Sequence, residues 1–386
     1  MKGRLKDADP DALVTGFATD SRAIEYGNVF LAIRGENVDG HDYVSSVSAR
    51  EGFASVVERP ESVPRIEVEN IVSAIARFGR SIRDEFSGPV VGITGSNGKT
   101  STKELTSAAL SCLGPVLKNE GNRNSEYTSP LVWFDKSADH RAAVIEMGMR
   151  GFGQIAHLAE VARPTVGIIT CIGTAHMEMV GSREGIAKAK GELLERLVGP
   201  SISVLWHEDD FLSTLKEYAT GPVVTFGFDQ GADVRVIGYR ALSFDSSEIL
   251  LDVAGDKVSF ELGVLGRHQA LNSAAAVAAA VACGCKASDA AAKLVEAVFP
   301  PMRMQVVECH GVTLVVDTYN ASPDSTVAAL RALCEVPCQG RRHAVLGEMR
   351  ELGSFTESGH RMVGVELAKS SIDTVLLTGG PTQWIS

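Results

Sequence analysis

Apolar and polar positions along the chain fall into three rhythms. Residues 1–86 carry the short apolar runs VFLAI, ASVVE and RIEVE, separated by Gly- and Asp-rich turns, and then a helical spacing over 71–86. From residue 87 come VVGITG, AAVIEMG, TVGIIT, ISVLW and VVTFG, with helical stretches between the early ones. Val/Ile strands alternating with helices predict a parallel sheet covered on both faces. Over 233–262 the pattern breaks into shorter β segments, followed by an Ala-rich helix containing SAAAVAAAVAC. Pro300 and Pro301 mark a linker. The last block returns to α/β: VTLVVD, a helix from Ser325, HAVLGE, a helix near His360, then TVLLTGG. The expected domains are 1–86, 87–299 and 300–386.

Composition narrows the class. The 386 residues, 45% of them hydrophobic, suffice for two or three cores. A formal charge of −11 argues against a broad nucleic-acid or anionic-membrane surface, while leaving room for a local basic pocket. The seven cysteines show no CxxC pair and no Cys/His zinc spacing. Reduced, mostly buried thiols and a cytoplasmic location are expected. Cys283 and Cys285 are too close to pair, and Cys334 and Cys338 are expected one helical turn apart. The start, MKGRLKDADPDALV, has no apolar signal-peptide core, and SAAAVAAAVAC is too short to span a bilayer.

The most chemical stretch is VVGITGSNGKTSTKE, residues 90–104. The phosphate-loop spelling G-x-x-x-x-G-K-[ST] wants glycine where Ile93 stands. The context is nevertheless strand, tight turn, helix start. Successive N–H groups of Gly95, Ser96, Asn97 and Gly98 can face an anion, and the helix dipole adds to that field. Lys99 would reach outer phosphates, and the Thr100 hydroxyl suits Mg²⁺. The alternative is a Gly-rich turn carrying a surface lysine.

Glu146 ends AAVIEMG, and His176 follows TVGIITCIGTAH, both at the end of sheet strands where open α/β sheets bind ligands. A lone histidine after a strand is more often structural. Together the two form a carboxylate/imidazole set for divalent metals. Ser182 caps a helix in which Ile186, Ala189, Leu193, Leu194 and Leu197 make one apolar arc, with Lys190 in its middle. Glu184, Lys188, Glu192 and Glu195 lie opposite, in solvent. A buried ammonium is costly unless paired or chemically changed. The alternative is a lysine stem lying along the apolar face with its head in water.

Over almost its whole length the chain resembles the Mur ligase family. The strings that carry this are DSRAIEYGNVFLAIRGENVDGHDYV, TGSNGKTSTKE, VIEMGMRGFGQI, IGTAHMEMVGSREGIAKAKGEL, LGRHQALNSAAA, VVDTYNASP and VLGEMRELG followed by His360. The likeness is greatest to the branch that joins D-alanyl-D-alanine to UDP-N-acetylmuramoyl-tripeptide with ATP, in peptidoglycan precursor synthesis. It implies a small α/β N-terminal domain, a central P-loop-type parallel-sheet ATPase domain and a Rossmann-like C-terminal domain. A cytoplasmic monomer that binds no nucleic acid and does not insert into membranes is expected. By resemblance, Ser101 joins the nucleotide loop with Lys99 and Thr100. Glu146, His176 and Lys190 hold metal with Thr100, Lys190 as a carbamate. His268 and Asn272 lie on the adenine side, Arg303 reaches phosphates, and Asp317 and Asn320 face the nucleotide. Asp20, Ser21 and Arg22 lie near the UDP group, and Asn124 and Glu126 contact substrate.

Some positions depart from the family pattern. NRNSEYTSP has Ser125 and Thr128 for an asparagine and a glycine, and Thr128 is expected to disturb a turn that favours positive φ. Cys171 stands where asparagine is usual, and Met302 precedes Arg303 where glycine is common. By the same resemblance the N-terminus is expected to lack a strand. The third domain is expected to be truncated at Ser386, leaving a short last sheet with an exposed edge. The alternatives are a nucleotide-binding chain without ligase activity, or a related Mur or folylpolyglutamate-type ligase.

Overall fold

In a computed structural model, which describes residues 3–35, 38–49, 53–175 and 177–386, the apolar runs become strands. The chain divides into two compact units. The first comprises Met1–Ser87, Arg123–Ala138 and Glu160–Ala162. Its strands are β1 (Arg4–Lys6), β2 (Gly16–Ala18), β3 (Asn28–Leu31), β4 (Ala54–Val57) and β5 (Arg65–Glu67). They form one sheet in the order β1-β5-β4-β3-β2. It is parallel except that β1 runs antiparallel to β5.

The helices of this unit are α1 (Val44–Ser48) and α2 (Ile71–Arg83). Asn70 caps α2, its side chain accepting from Ser73 N at 2.9 Å. Val29, Leu31, Val44, Val56, Ile71 and Ile75 form the core. Residues 123–138 pack here as well: Phe134 and Trp133 stack against Phe17, Phe78 and Phe86, with ring centroids 5.1–6.4 Å apart.

The second unit comprises Gly88–Asn122, Asp139–Ala159 and Arg163–Ser386. Its large sheet contains β6 (Val90–Thr94), β7 (Val116–Lys118), β8 (Ala142–Glu146), β9 (Val166–Ile169), β10 (Ile202–Trp206) and β11 (Val223–Gly227). It continues through β12 (Val234–Ser243), β13 (Ser246–Val253) and β14 (Asp256–Leu262). The order is β14-β13-β12-β11-β10-β9-β6-β8-β7. Neighbours from β7 to β12 are parallel, as the buried Val/Ile runs predict. The last three strands are antiparallel and long, not short segments. In β14 buried and exposed residues alternate, so only one face is covered. That period-two pattern breaks up apolar runs and makes long strands read as short ones.

The helices are α3 (Lys99–Leu110), α4 (Gln154–Ala162), α5 (Met177–Val180), α6 (Arg183–Glu195), α7 (Leu212–Tyr218), α8 (Arg267–Ala282) and α9 (Ala287–Lys293). α3 and the Ala-rich α8 share one core with the sheet, through Leu105, Ala109, Ala274 and Val277. Small side chains on α8 are what let two helices approach closely.

Residues after Arg303 form a hairpin of β15 (Gln305–Cys309) and β16 (Val312–Val316), then α10 (Pro323–Glu335), β17 (His343–Leu346), α11 (Thr356–Leu367) and β18 (Thr374–Leu377). β17 and β18 pair in parallel and leave Val345 and Leu376 exposed. Cys334 and Cys338 are not one helical turn apart. α10 ends at Glu335, because Pro337 pushes Val336 to extended backbone, ψ 131°. All seven cysteines are free, and only Cys285 is buried, against the expectation of mostly buried thiols. Among the described residues no helix is long and apolar enough to cross a membrane.

Candidate active site

Between β6 and α3 the backbone turns in four residues, and two of them must be glycine. Gly95 has φ +153°, and a Cβ there would lie 1.7 Å from Thr170 Oγ1. Gly98 has φ +79°, and its Cβ would lie 2.7 Å from Asn272 Oδ1. The turn is tied to the end of β9. Ser96 N donates to Cys171 O at 2.9 Å, Thr170 Oγ1 to Asn97 O at 2.5 Å, and Gly173 N to Ser96 Oγ at 2.9 Å. The missing first glycine therefore leaves a rigid loop at a helix N-terminus, with its dipole in place. Ser101 is buried in the first turn of α3.

Cations crowd this loop. Lys99 Nζ donates to Gly95 O at 2.8 Å and Ser96 O at 3.3 Å, so it folds back on its own turn. Burial pushes its pKa down, the Glu146 carboxylate opposes this, and Arg303 adds to the lowering. Lys190 is 1% exposed, as its position in the apolar arc of α6 predicts. Burial and the neighbouring Lys99 ammonium hold its pKa well below the lysine range, opposed by Cys171. Its stem does not carry the head to water. On the opposite face Glu184 and Lys188 are exposed, but Glu192 accepts from Gly153 N at 2.7 Å and Ala156 N at 3.0 Å. It caps α4 instead of sitting free in solvent.

Glu146 ends β8 and is buried. Asn119 grips its backbone from both sides: Oδ1 accepts from Glu146 N at 2.9 Å, and Nδ2 donates to Glu146 O at 3.0 Å. Fully buried Lys103, one turn beyond Lys99, donates to Asn119 O at 2.7 Å and pairs with Glu104 Oε1 at 3.1 Å. His176 lies outside the described residues. Among the described residues, no group of three His, Cys, Asp or Glu side chains is arranged to hold a metal ion.

The last block reaches the same loop. Arg303 donates to Thr100 Oγ1 at 3.1 Å and stacks over Tyr319 at 4.3 Å. Met302 and Met304 on either side have φ +60° and +53°. Met302, standing where glycine is common, thus adopts the backbone that glycine favours. Asp317 Oδ1 accepts from Met304 N at 3.2 Å, and burial raises its pKa. Ser322 Oγ donates to Asn97 Oδ1 at 3.0 Å, and Asp324 Oδ2 accepts from Thr174 N and Oγ1, each at 3.3 Å. On α8, Asn272 Nδ2 donates to Gln269 Oε1 at 2.9 Å. Half-buried His268, one turn earlier, has its pKa pushed down to about 4 by burial. Asn320 is exposed.

The structure thus gathers Gly95, Ser96, Asn97, Gly98, Lys99, Thr100, Glu146, Lys190, Asn272, Arg303 and Asp317. Asn119, Lys103, Thr170, Ser322 and Asp324 also hold this site and are absent from the sequence reading. Only Ser322 gave a signal, as a serine before Pro323 at a helix start. The others work through backbone bonds that spacing does not reveal.

The remaining candidates belong to the first unit. Asp20 accepts from Arg22 N at 2.9 Å and from its guanidinium at 2.7 Å, which holds the carboxyl down at about 2. Both are solvent-accessible, with Ser21 between them. Asn124 and Glu126 are half-buried. Thr128 does not sit in a positive-φ turn: its φ is −112°, and its hydroxyl lies 3.0 Å from Ser125 Oγ. The two hydroxyls stabilise a turn that needs no glycine.

Family models match three segments: "Mur ligase family, catalytic domain" over residues 13–81, "Mur ligase middle domain" over 93–280, and "Mur ligase, glutamate ligase domain" over 302–384. The chain is 35% identical over 373 residues to the UDP-N-acetylmuramoyl-tripeptide--D-alanyl-D-alanine ligase of Synechocystis sp., covering 95% of this chain and 80% of that protein. A MurF crystal structure from Acinetobacter baumannii superposes with a TM-score of 0.90 at 30% identity, covering 97% of this chain and 83% of that one. The MurF ligase from Thermotoga maritima in complex with ADP gives 0.84 at 31%, covering 98% and 88%.

Proposed function

The chain belongs to the Mur ligase family, and on that premise we propose that it joins D-alanyl-D-alanine to UDP-N-acetylmuramoyl-tripeptide at the expense of ATP. The observation that carries the reading is the cluster around the glycine loop: Lys99, Lys190 and Arg303 converge with a buried carboxylate, Glu146. A polyphosphate supplies the anion that so many cations lack. The relatives named for this reaction, one of them bound to ADP, support the same substrates.

Lys99 exchanges its two loop carbonyls for phosphate oxygens, and the turn of residues 95–98 with the start of α3 offers N–H donors. Arg303 gives up Thr100 Oγ1 for a phosphate. His268 and Asn272 flank the base, and Asp317 and Asn320 the rest of the nucleotide. The tripeptide carboxylate attacks the γ-phosphorus, giving an acyl phosphate and ADP. The amine of D-alanyl-D-alanine then attacks the acyl carbon, and phosphate leaves. Positive charge held in place before reaction is the main catalytic contribution of these side chains.

The oxygen donors fit Mg²⁺: the Thr100 hydroxyl and the buried Glu146 carboxylate, joined by Lys190 once it carries a carbamate, its ammonium form being disfavoured by burial. Thr100, Glu146, His176 and Lys190 would hold it, and the ion would neutralise phosphate charge. Once deprotonated, the Lys190 amine bonds CO₂ and loses a second proton, which turns a buried cation into an anion. Asp20, Ser21, Arg22, Asn124 and Glu126 contact the UDP-linked substrate. We assign residues 1–86, 87–299 and 300–386 to uridine substrate, ATP and incoming dipeptide respectively, in a cytoplasmic monomer that binds no nucleic acid.

The test is phosphate release with UDP-N-acetylmuramoyl-tripeptide and ATP. Release that requires D-alanyl-D-alanine supports the reading. Release that ignores the dipeptide, or that L-glutamate supports equally, overturns it. A dimer in analytical ultracentrifugation would remove the monomer assignment alone.

A further inference from the structure

Cys112 and Cys285 are 173 residues apart in the chain, yet their sulfurs lie 3.1 Å apart. Among the described residues this is the only sulfur–sulfur contact in the hydrogen-bond pattern. Cys112 sits in the short turn that ends α3, and Cys285 follows the end of α8. The other end of α3 carries Lys99 and Thr100, and α8 carries Asn272. Cys285 belongs to the core shared by both helices, and Cys112 packs against it. Cys112 is half-buried and Cys285 buried, so Cys112 is the more accessible residue of the pair.

We propose that Cys112 and Cys285 form a modification site, a dithiol that a low-molecular-weight disulfide oxidises reversibly to a bond joining the C-terminal ends of α3 and α8. Cys112 loses its proton, attacks one sulfur of the reagent and expels the other as a thiol. The Cys285 sulfur, losing its own proton, then attacks the mixed disulfide at Cys112 and expels the second thiol. Two protein thiols are oxidised to one disulfide, and one reagent disulfide is reduced to two thiols. Burial holds the Cys285 thiol up at about 12, so the second step is the slow one and accelerates as pH rises. The bond clamps together the helices that carry the glycine loop and Asn272, and the oxidised protein keeps that site folded. The inference is independent of the ligase reading.

The experiment is incubation of the intact protein with glutathione disulfide, followed by thiol titration in denaturant and peptide mapping. Two thiols should disappear, and peptides bearing Cys112 and Cys285 should be found linked, a change that dithiothreitol reverses. The thermal midpoint should rise on the order of 5 °C. Cys112→Ser, a change at a half-exposed site, should abolish the linkage and the rise, while Cys283→Ser should keep both. Seven titratable thiols after treatment, glutathione retained on Cys112, or a linkage to Cys283 would each overturn the proposal.

Discussion

Lys190 shows how one residue can carry a cost that only chemistry justifies. Its folded pKa lies below that of the unfolded chain, so over that interval the unfolded state binds the extra proton. Stability from this group therefore rises with pH toward the ordinary lysine range and falls as pH is lowered. Lys190→Met removes the buried charge and keeps the volume. It should unfold at higher denaturant concentration than the parent at neutral pH, by about 1 kcal/mol or more, while losing ligase activity. Carbon-13 NMR of protein equilibrated with labelled bicarbonate should show a carbamate signal that the variant lacks. Asn119 acts one residue away from the chemistry. Asn119→Ala breaks both backbone bonds to Glu146 and should lower kcat on the order of tenfold, with KM for the dipeptide unchanged. An unchanged kcat would remove Asn119 from the positioning of Glu146.

Among elements, α10 does two jobs at its start. Ser322 forms a capping box with Ser325 and also donates to Asn97 in the loop. Ser322→Ala should cost about 1 kcal/mol in denaturant unfolding and should also weaken ATP binding. A cap serving α10 alone would leave nucleotide affinity untouched. Elements such as β6, β8 and β9 were legible because parallel strands buried on both faces read as unbroken Val/Ile runs. The glycine turn and inward Lys190 were legible for the same local reason, since each depends on neighbours within a turn or a helix. β12 to β14 were read as fragments because only one face is buried. Asn119 and Asp324 were invisible because their partners, Glu146 and Thr174, lie far off in sequence and are reached through backbone atoms.

At the scale of the whole molecule, acid should undermine the fold through groups that it holds uncharged. His268 is the clearest, with a pKa of about 4 in the fold against 6.5 unfolded. Between those values the unfolded chain holds the extra proton, so this contribution is full above pH 6.5 and is lost as pH falls through 4. His268→Gln, a neutral amide at every pH, should flatten the denaturation midpoint across that window by up to one proton's worth of slope. An unchanged slope would place the acid sensitivity elsewhere. Lys99 is bonded to two carbonyls of its own turn. Binding is thus a trade of partners, and its calorimetric heat is a small difference between bonds broken and bonds made. Three hydrogen bonds pin the loop to the end of β9, so association should proceed without a slow rearrangement of the loop and at a rate governed by encounter.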